Sequence, residues 1–197
     1  MTKWILGALP ASIILAGGLA FTVGPQQSSP PAVSFEDATL RIRIDISERT
    51  LVVEQSGELI RTYNIAVGSE THPTPTGSFS VERIIWNPRW VPPASEWAKN
   101  EQAREPGDPK NPMGRVKIFF RYPSYYIHGT NSEASIGTAA SHGCVRMLNS
   151  EVIELAQLLI DRSGTPVEPG LVQRLIHRVR QKEEFILAPP VPLEVVD

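Results

Sequence analysis

From residue 39 the chain alternates: in TLRIRIDISERTLVVEQSGELIRTYNIAVG, the apolar Leu40, Ile42, Ile44 and Ile46 are interleaved with Arg41, Arg43 and Asp45. A period of two sends each set to one side of an extended backbone, which predicts a strand with one buried face. Two more β-rich runs follow, Leu51 to Glu54 and Leu59 to Val67, with turn signals at Ser47 to Arg49 and at Ser56-Gly57 between them. The three read as a meander. HPTPTG then supplies a stiff turn before a strand from Ser78 to Trp86. Residues 87 to 114 hold six prolines and few branched apolar residues, so they predict a long irregular loop with one helical turn near Ser95 to Gln102. Strand character returns in RVKIFFRYPSYYIHGT and delivers His128 to a strand end.

The period then changes. In NSEVIELAQLLIDRSG, Val152, Leu155, Ala156 and Leu159 share one helical face, Asn149 or Ser150 is placed to cap it, and Gly164 stops it. This predicts a helix from Ser150 to Arg162, entered directly from Val145 to Leu148. A second stripe, Leu171, Val172, Leu175, Ile176 and Val179, keeps Arg174, Arg178 and Arg180 on its outer side. The final EEFILAPPVPLEVVD is punctuated by prolines, which an edge strand tolerates. The predicted fold is mainly β, a two-sheet sandwich or partly open barrel with a few helices.

Ahead of this domain, Trp4 to Gln27 is uncharged and apolar, with Lys3 in front of it. That describes an export signal or a membrane anchor. Gly18-Leu19-Ala20 resembles a cleavage site, whereas an apolar span of about 20 residues is long enough to cross a bilayer, and the reading leans to an uncleaved anchor. Residues 28–38, rich in Pro and Ser, read as a linker, leaving 39–197 as the folded domain. With Lys3 retained inside, that domain lies outside the cytoplasm, in the cell envelope or beyond it.

Charge narrows the partners. Lys and Arg total 19 against 21 Asp and Glu, and no block of one sign occurs, so nothing marks a nucleic-acid surface. A small or peptide-like substrate fits better.

The stretch IHGTNSEASIGTAASHGCVRM, residues 127 to 147, carries the only cysteine of the chain and two of its four histidines, among small residues that fill no core. A lone Cys144 in an oxidising compartment forms no intramolecular disulfide, so it is either a small buried hydrophobe or a reactive thiol. Sulfur attacks as thiolate, which a histidine cation or aimed backbone amides must stabilise. His128 and His142 are near in sequence, and the amides of Gly143 and Cys144 are placed to receive an oxyanion. Together these are parts for acyl transfer through a thioester, with Cys144 and His128 titrating as a coupled pair. Zinc held by His72, His128, His142 and Cys144 is the competing reading, but no short paired ligand spacing supports it, so no metal is expected. Tyr125, Tyr126, Trp86 and Trp90 are assigned to the core, where strand aromatics usually lie.

HGT at 128 to 130 with SHGCVRM at 141 to 147 resembles the signature of the L,D-transpeptidase (YkuD-type) catalytic domain family. VGSETHPTPTGSFSVE is similar to its TPxG turn, NPRWVPP to its NPxW segment and PVPLEVV to its closing strand, so the likeness runs over residues 39 to 196. The resemblance implies that Cys144 is the nucleophile, His128 the proton donor and acceptor, and Gly129 the residue whose carbonyl orients His128. It further implies that His142 and Ser141 line the substrate site and that Arg146 holds a substrate carboxylate. No cofactor is implied. The reaction implied is attack on the third residue of a peptidoglycan stem peptide, release of D-alanine, and transfer of the acyl group to an amine on a second stem or a wall-attached protein. Water as acceptor would make the same site an L,D-carboxypeptidase, and loss of turnover would leave a wall-binding module.

Overall fold

A computed structural model describes residues 40–197, so the expected anchor at 1–27 and linker at 28–38 lie outside the described residues. Ten strands and two helices follow the chain: β1 Leu40–Asp45, β2 Thr50–Gln55, β3 Glu58–Asn64, β4 Val67–Gly68, β5 Gly77–Trp86, β6 Val116–Arg121, β7 Tyr125–Gly129, β8 Ala139–Ser141, β9 Val145–Met147, α1 Asn149–Arg162, α2 Leu171–His177 and β10 Glu183–Val196. Eight of the strands form one sheet in the order β3-β2-β1-β10-β5-β6-β7-β9, and β4 pairs with β8 beside it. The ends of the large sheet nearly meet. Ala66, two residues past β3, exchanges both backbone hydrogen bonds with Arg146 of β9, each 2.9 Å long. The result is a nearly closed barrel, the second of the two architectures the pattern allowed.

The predicted meander is present. β1 pairs antiparallel with β2, and β2 with β3, while Leu40, Ile42 and Ile44 all point into the core. Ser56 and Gly57, at φ 55° and 78°, make the tight turn between β2 and β3. Inside the barrel lie Trp86, Ile118, Ile127, Val145 and Met147, covered by Val152, Leu155, Ala156, Leu159 and Ile160 of α1. Each large aliphatic side chain so buried contributes about 2 kcal/mol. The loop from 87 to 115 is irregular as expected, with a single 3-10 turn at Glu96–Ala98.

Three readings of the pattern are corrected. β10 is an edge strand only in part: residues 193–196 run between β1, parallel to them, and β5, antiparallel to them, whereas the residues before Leu193 pair with β5 alone. Its prolines lie in that one-sided stretch: the ladder to β5 is interrupted between Ile186 and Val191, so Pro189 and Pro190 owe it no N–H, and Pro192 lies opposite Ser80 just before the pairing with β1 begins at Leu193. Val145 to Met147 is β9 rather than a lead-in to the helix, and Ala139–Ser141 of the small-residue stretch before it is β8. Neither run is long enough for periodicity to show. Finally, α1 starts after Leu148 without a side-chain cap, because Asn149 points elsewhere. Its Oδ1 accepts from the Arg115 N–H at 2.9 Å and its Nδ2 donates to the Thr130 carbonyl at 2.8 Å, tying the end of β7 to the start of β6.

The NPRW segment has a structural task. Asn87 is 1% exposed at φ 48°, and its Nδ2 donates towards the carbonyls of Leu175, Arg178 and Gln181 at the end of α2. Arg115 Nε donates to Asn87 Oδ1 at 2.8 Å, and its other nitrogen reaches the Leu175 and Ile176 carbonyls. These contacts collect carbonyls that the helix end leaves without partners. Asn87→Ala strips them and leaves the Arg115 guanidinium short of an acceptor in a half-buried place. We expect a loss of about 2–4 kcal/mol in urea unfolding, since buried polar groups are left unpaired.

Candidate active site

Strand register brings the chemistry to one face. Lys117 of β6 lies opposite His128 of β7, and His128 opposite Arg146 of β9, while Phe119 lies opposite Tyr126. Paired residues share a side of a sheet, and residues two apart on a strand share it too. Lys117, Phe119, Tyr126, His128 and Arg146 therefore occupy one face, with Cys144 two residues before Arg146. On the opposite face the matching row is Ile118, Ile127 and Val145, all buried in the core.

His128 is 3% exposed, and its Nδ1 lies 2.6 Å from the Gly129 carbonyl oxygen. A carbonyl only accepts, so Nδ1 carries the proton and Nε2 keeps the lone pair. The Pro112 carbonyl is a second main-chain acceptor beside the ring. Burial nonetheless holds the imidazole far below its ordinary range, at about 3, with the Arg146 and Lys117 charges pushing the same way. His128 is neutral at neutral pH.

Cys144 is partly exposed, and its Sγ donates to the Ser124 carbonyl at 3.5 Å. Burial pushes the thiol up, while hydrogen bonds from the main chain and hydroxyl of Tyr126, then the charges of Lys117 and Arg146, pull it down. The resting pair is thus a thiol and a neutral imidazole, so of the two stabilisers the sequence allowed, a histidine cation or aimed backbone amides, the first is absent at rest. A neutral imidazole with a free lone pair is the form that accepts a proton.

The turn before the cysteine is braced from within. Ser141 Oγ donates to the Cys144 carbonyl at 2.5 Å and accepts from the Gly143 N–H at 3.1 Å. Two expectations change on that account. Ser141, 3% exposed with its hydroxyl engaged inside the turn, shapes the loop and does not face a substrate. Gly143 has its amide engaged, which leaves the amide of Cys144 as the better placed of the two oxyanion donors. Gly143 itself has φ 99°, and a Cβ there would sit 2.9 Å from the Tyr125 ring and 3.3 Å from the Pro73 carbonyl. Only glycine fits this turn.

The HPTPTG turn packs against the same loop. Thr74 is buried and its Oγ1 accepts from the Gly68 N–H at 2.8 Å, closing the turn and bringing His72 beside His142. The two rings meet edge to face with centroids 4.9 Å apart. On its other side His142 stacks flat on Trp97 from the long loop, at 4.2 Å and 12°. His142 is exposed, and its pKa is lowered by partial burial first and then by the charges of His72 and Arg146. It stands two residues before Cys144, held between the HPTPTG turn and the long loop.

Sequence reasoning missed Lys117, Tyr126 and Trp97. A lysine between Val116 and Ile118 was a signal, since a charge inside an apolar run on a central strand must face something other than core. Tyr126 was assigned to the interior, but it lies on the site face. Trp86 and Trp90 are buried as expected. Among the described residues no group of three or more His, Cys, Asp or Glu side chains is gathered as metal ligands.

The buried His128 gives a measurable stability effect. Its folded pKa of about 3 lies below the ordinary 6.5, so between those values the unfolded chain binds the extra proton. Stability is present above 6.5 and falls as pH drops through the window, by about 1.4 kcal/mol per unit. Urea midpoints at pH 7, 5.5 and 4 should show this slope, and His128→Gln should flatten it.

Solved structures share this architecture. The chain superposes on 98% of the catalytic domain of the Enterococcus faecium L,D-transpeptidase, covering 81% of itself, with a TM-score of 0.50 and 17% identity. A mutant of the E. faecium enzyme gives a TM-score of 0.52 at 16% identity over 80% of this chain and 50% of that one. A mainly β, barrel-like domain of this topology is the fold of L,D-transpeptidase catalytic domains.

The sequence goes further than the fold. The family model described as YkuD, L,D-transpeptidase catalytic domain, matches residues 39–168. L,D-transpeptidase YkuD of Bacillus licheniformis is 34% identical over 129 residues, 66% of each chain, and its Bacillus subtilis counterpart is 37% identical over 118 residues, 60% of this chain and 59% of that one. The chain belongs to the YkuD family of L,D-transpeptidase catalytic domains. The aligned stretch spans less than two thirds of those relatives' own length.

Proposed function

We propose that this protein is a peptidoglycan L,D-transpeptidase of the cell envelope, with Cys144 as nucleophile and His128 as its proton acceptor and donor. The observation that supports this most directly is the shared face of β6, β7 and β9, which sets a partly exposed thiol near a buried, neutral imidazole whose Nδ1 is fixed on Gly129. His128 Nε2 takes the thiol proton as sulfur attacks the carbonyl of the third residue of a stem peptide. The carbonyl oxygen becomes an oxyanion beside the Cys144 amide, a contact worth about 3 kcal/mol of barrier. His128 returns the proton to the departing amine, D-alanine leaves, and a thioester on Cys144 remains. An incoming amine gives its proton to His128 and attacks the thioester, and the sulfur departs taking that proton from His128, which restores the thiol and the neutral imidazole. Arg146 lies directly opposite His128 and, among the described residues, pairs with no carboxylate, which leaves its charge for one on the substrate. Residues 1–27 would tether or export the domain, and 28–38 would hold it clear of the membrane.

The test is incubation with disaccharide tetrapeptide and mass spectrometry of protein and products. The expected result is a thioester adduct on Cys144, free D-alanine and dimers joined through third residues. A product pool of free tripeptide with no dimer would assign water as the acceptor, and no adduct with no release of D-alanine would overturn the proposal.

A further inference from the structure

Nothing in the family signature concerns position 117, yet β6 places a lysine there on the site face. Lys117 lies opposite His128, with its Nζ 3.7 Å from the centre of the Tyr126 ring and 4.7 Å from that of Phe119. The two aromatic faces hold the ammonium by cation–π attraction and limit where it can go. Among the described residues it has no carboxylate partner. Arg83, which also faces the Phe119 ring at 5.3 Å, is already paired with Glu184 at 2.7 Å.

Resting on the reading of Cys144 as nucleophile, we propose that Lys117 is a positioning residue for it: an ammonium fixed on Tyr126 and Phe119 that supplies the positive charge the thiolate needs. The need arises from His128. A histidine buried at 3% exposure, beside Lys117 and Arg146, carries no resting positive charge, so it does nothing to lower the thiol's pKa before the proton is transferred. The charged and titratable groups around the sulfur are Tyr126 and His128 from β7, Arg146 from β9, Lys117 from β6 and, beyond Phe119, Arg83 from β5. Of these, Lys117 and Arg146 are the unpaired cations. Lys117 is drawn down to about 8 by burial and raised by Cys144, so ammonium and thiol titrate as a pair. The aromatic cradle adds direction, since an ammonium stacked on Tyr126 is held beside the hydroxyl that also reaches the sulfur.

The test uses the only thiol of the chain. Iodoacetamide alkylation rates are measured against pH for the wild type, Lys117→Met, which keeps the apolar stem, and Lys117→Arg, which keeps the charge, each checked by circular dichroism. The midpoint should rise by about one pH unit in the Met variant, a tenfold loss of thiolate below it, and the Arg variant should restore most of the shift. Lys117→Gln serves in the same way should the Met variant fail to fold. An unchanged midpoint in the neutral variants overturns the role of Lys117 while leaving Cys144 as nucleophile intact. Turnover of tetrapeptide stems that survives in Cys144→Ala overturns both.

Discussion

Cys144→Ala protein should form no adduct with tetrapeptide stems and release no D-alanine, a loss of roughly 10⁴-fold or more, the scale met when a covalent nucleophile is removed. The fold should tolerate the change. Cys144 is only partly buried, and its side-chain hydrogen bond is a 3.5 Å contact from sulfur to the Ser124 carbonyl. Alanine also leaves the Ser141 bonds to the Cys144 carbonyl and the Gly143 amide in place, because those use backbone atoms and the serine hydroxyl. Urea unfolding within about 1 kcal/mol of wild type, with no turnover, is the expected pair of results. Turnover retained by the alanine variant would remove sulfur from the chemistry.

His128→Gln should cost about 10²- to 10⁴-fold in turnover, the ordinary worth of a positioned proton acceptor. The glutamine amide can still donate to the Gly129 carbonyl, so the strand end keeps its partner, but no lone-pair nitrogen remains to take the thiol proton. The pH response separates this role from a structural one. If neutral His128 is the acceptor, the variant should recover part of its activity as pH rises towards the raised pKa of the thiol, because direct ionisation then replaces assisted removal. A variant equally impaired at every pH would assign His128 to architecture alone.

Much of the fold was legible because its strands obey the period of two. β1, β2, β3 and β5 were found within a few residues, and α1 began one residue before its predicted start. What escaped was set by tertiary pairing. β8 and β9 span three residues each, too short to show a period, and they are strands only because β4 and β7 lie alongside to receive them. β10 was read as an edge throughout because of its prolines, which do lie where β5 alone pairs with it, whereas its last four residues are covered by β1 as well. For the site, the sequence supplied Cys144, His128 and the Gly129 contact through the signature. It did not supply Lys117 and Tyr126, since alternation tells which residues share a face but not which face meets the cysteine. Nor did it anticipate that Ser141 turns inward or that burial keeps His128 uncharged, both consequences of packing.

The two hydrogen bonds between Ala66 and Arg146 join positions 80 apart in the sequence. Without them β9 would offer an open row of N–H and C=O groups to any extended chain that came near. Closing the barrel therefore also guards against runaway association between molecules. A loop insertion between residues 64 and 66 should leave the meander able to form yet turn the protein towards aggregates grown edge to edge, with Cys144 close to the seam.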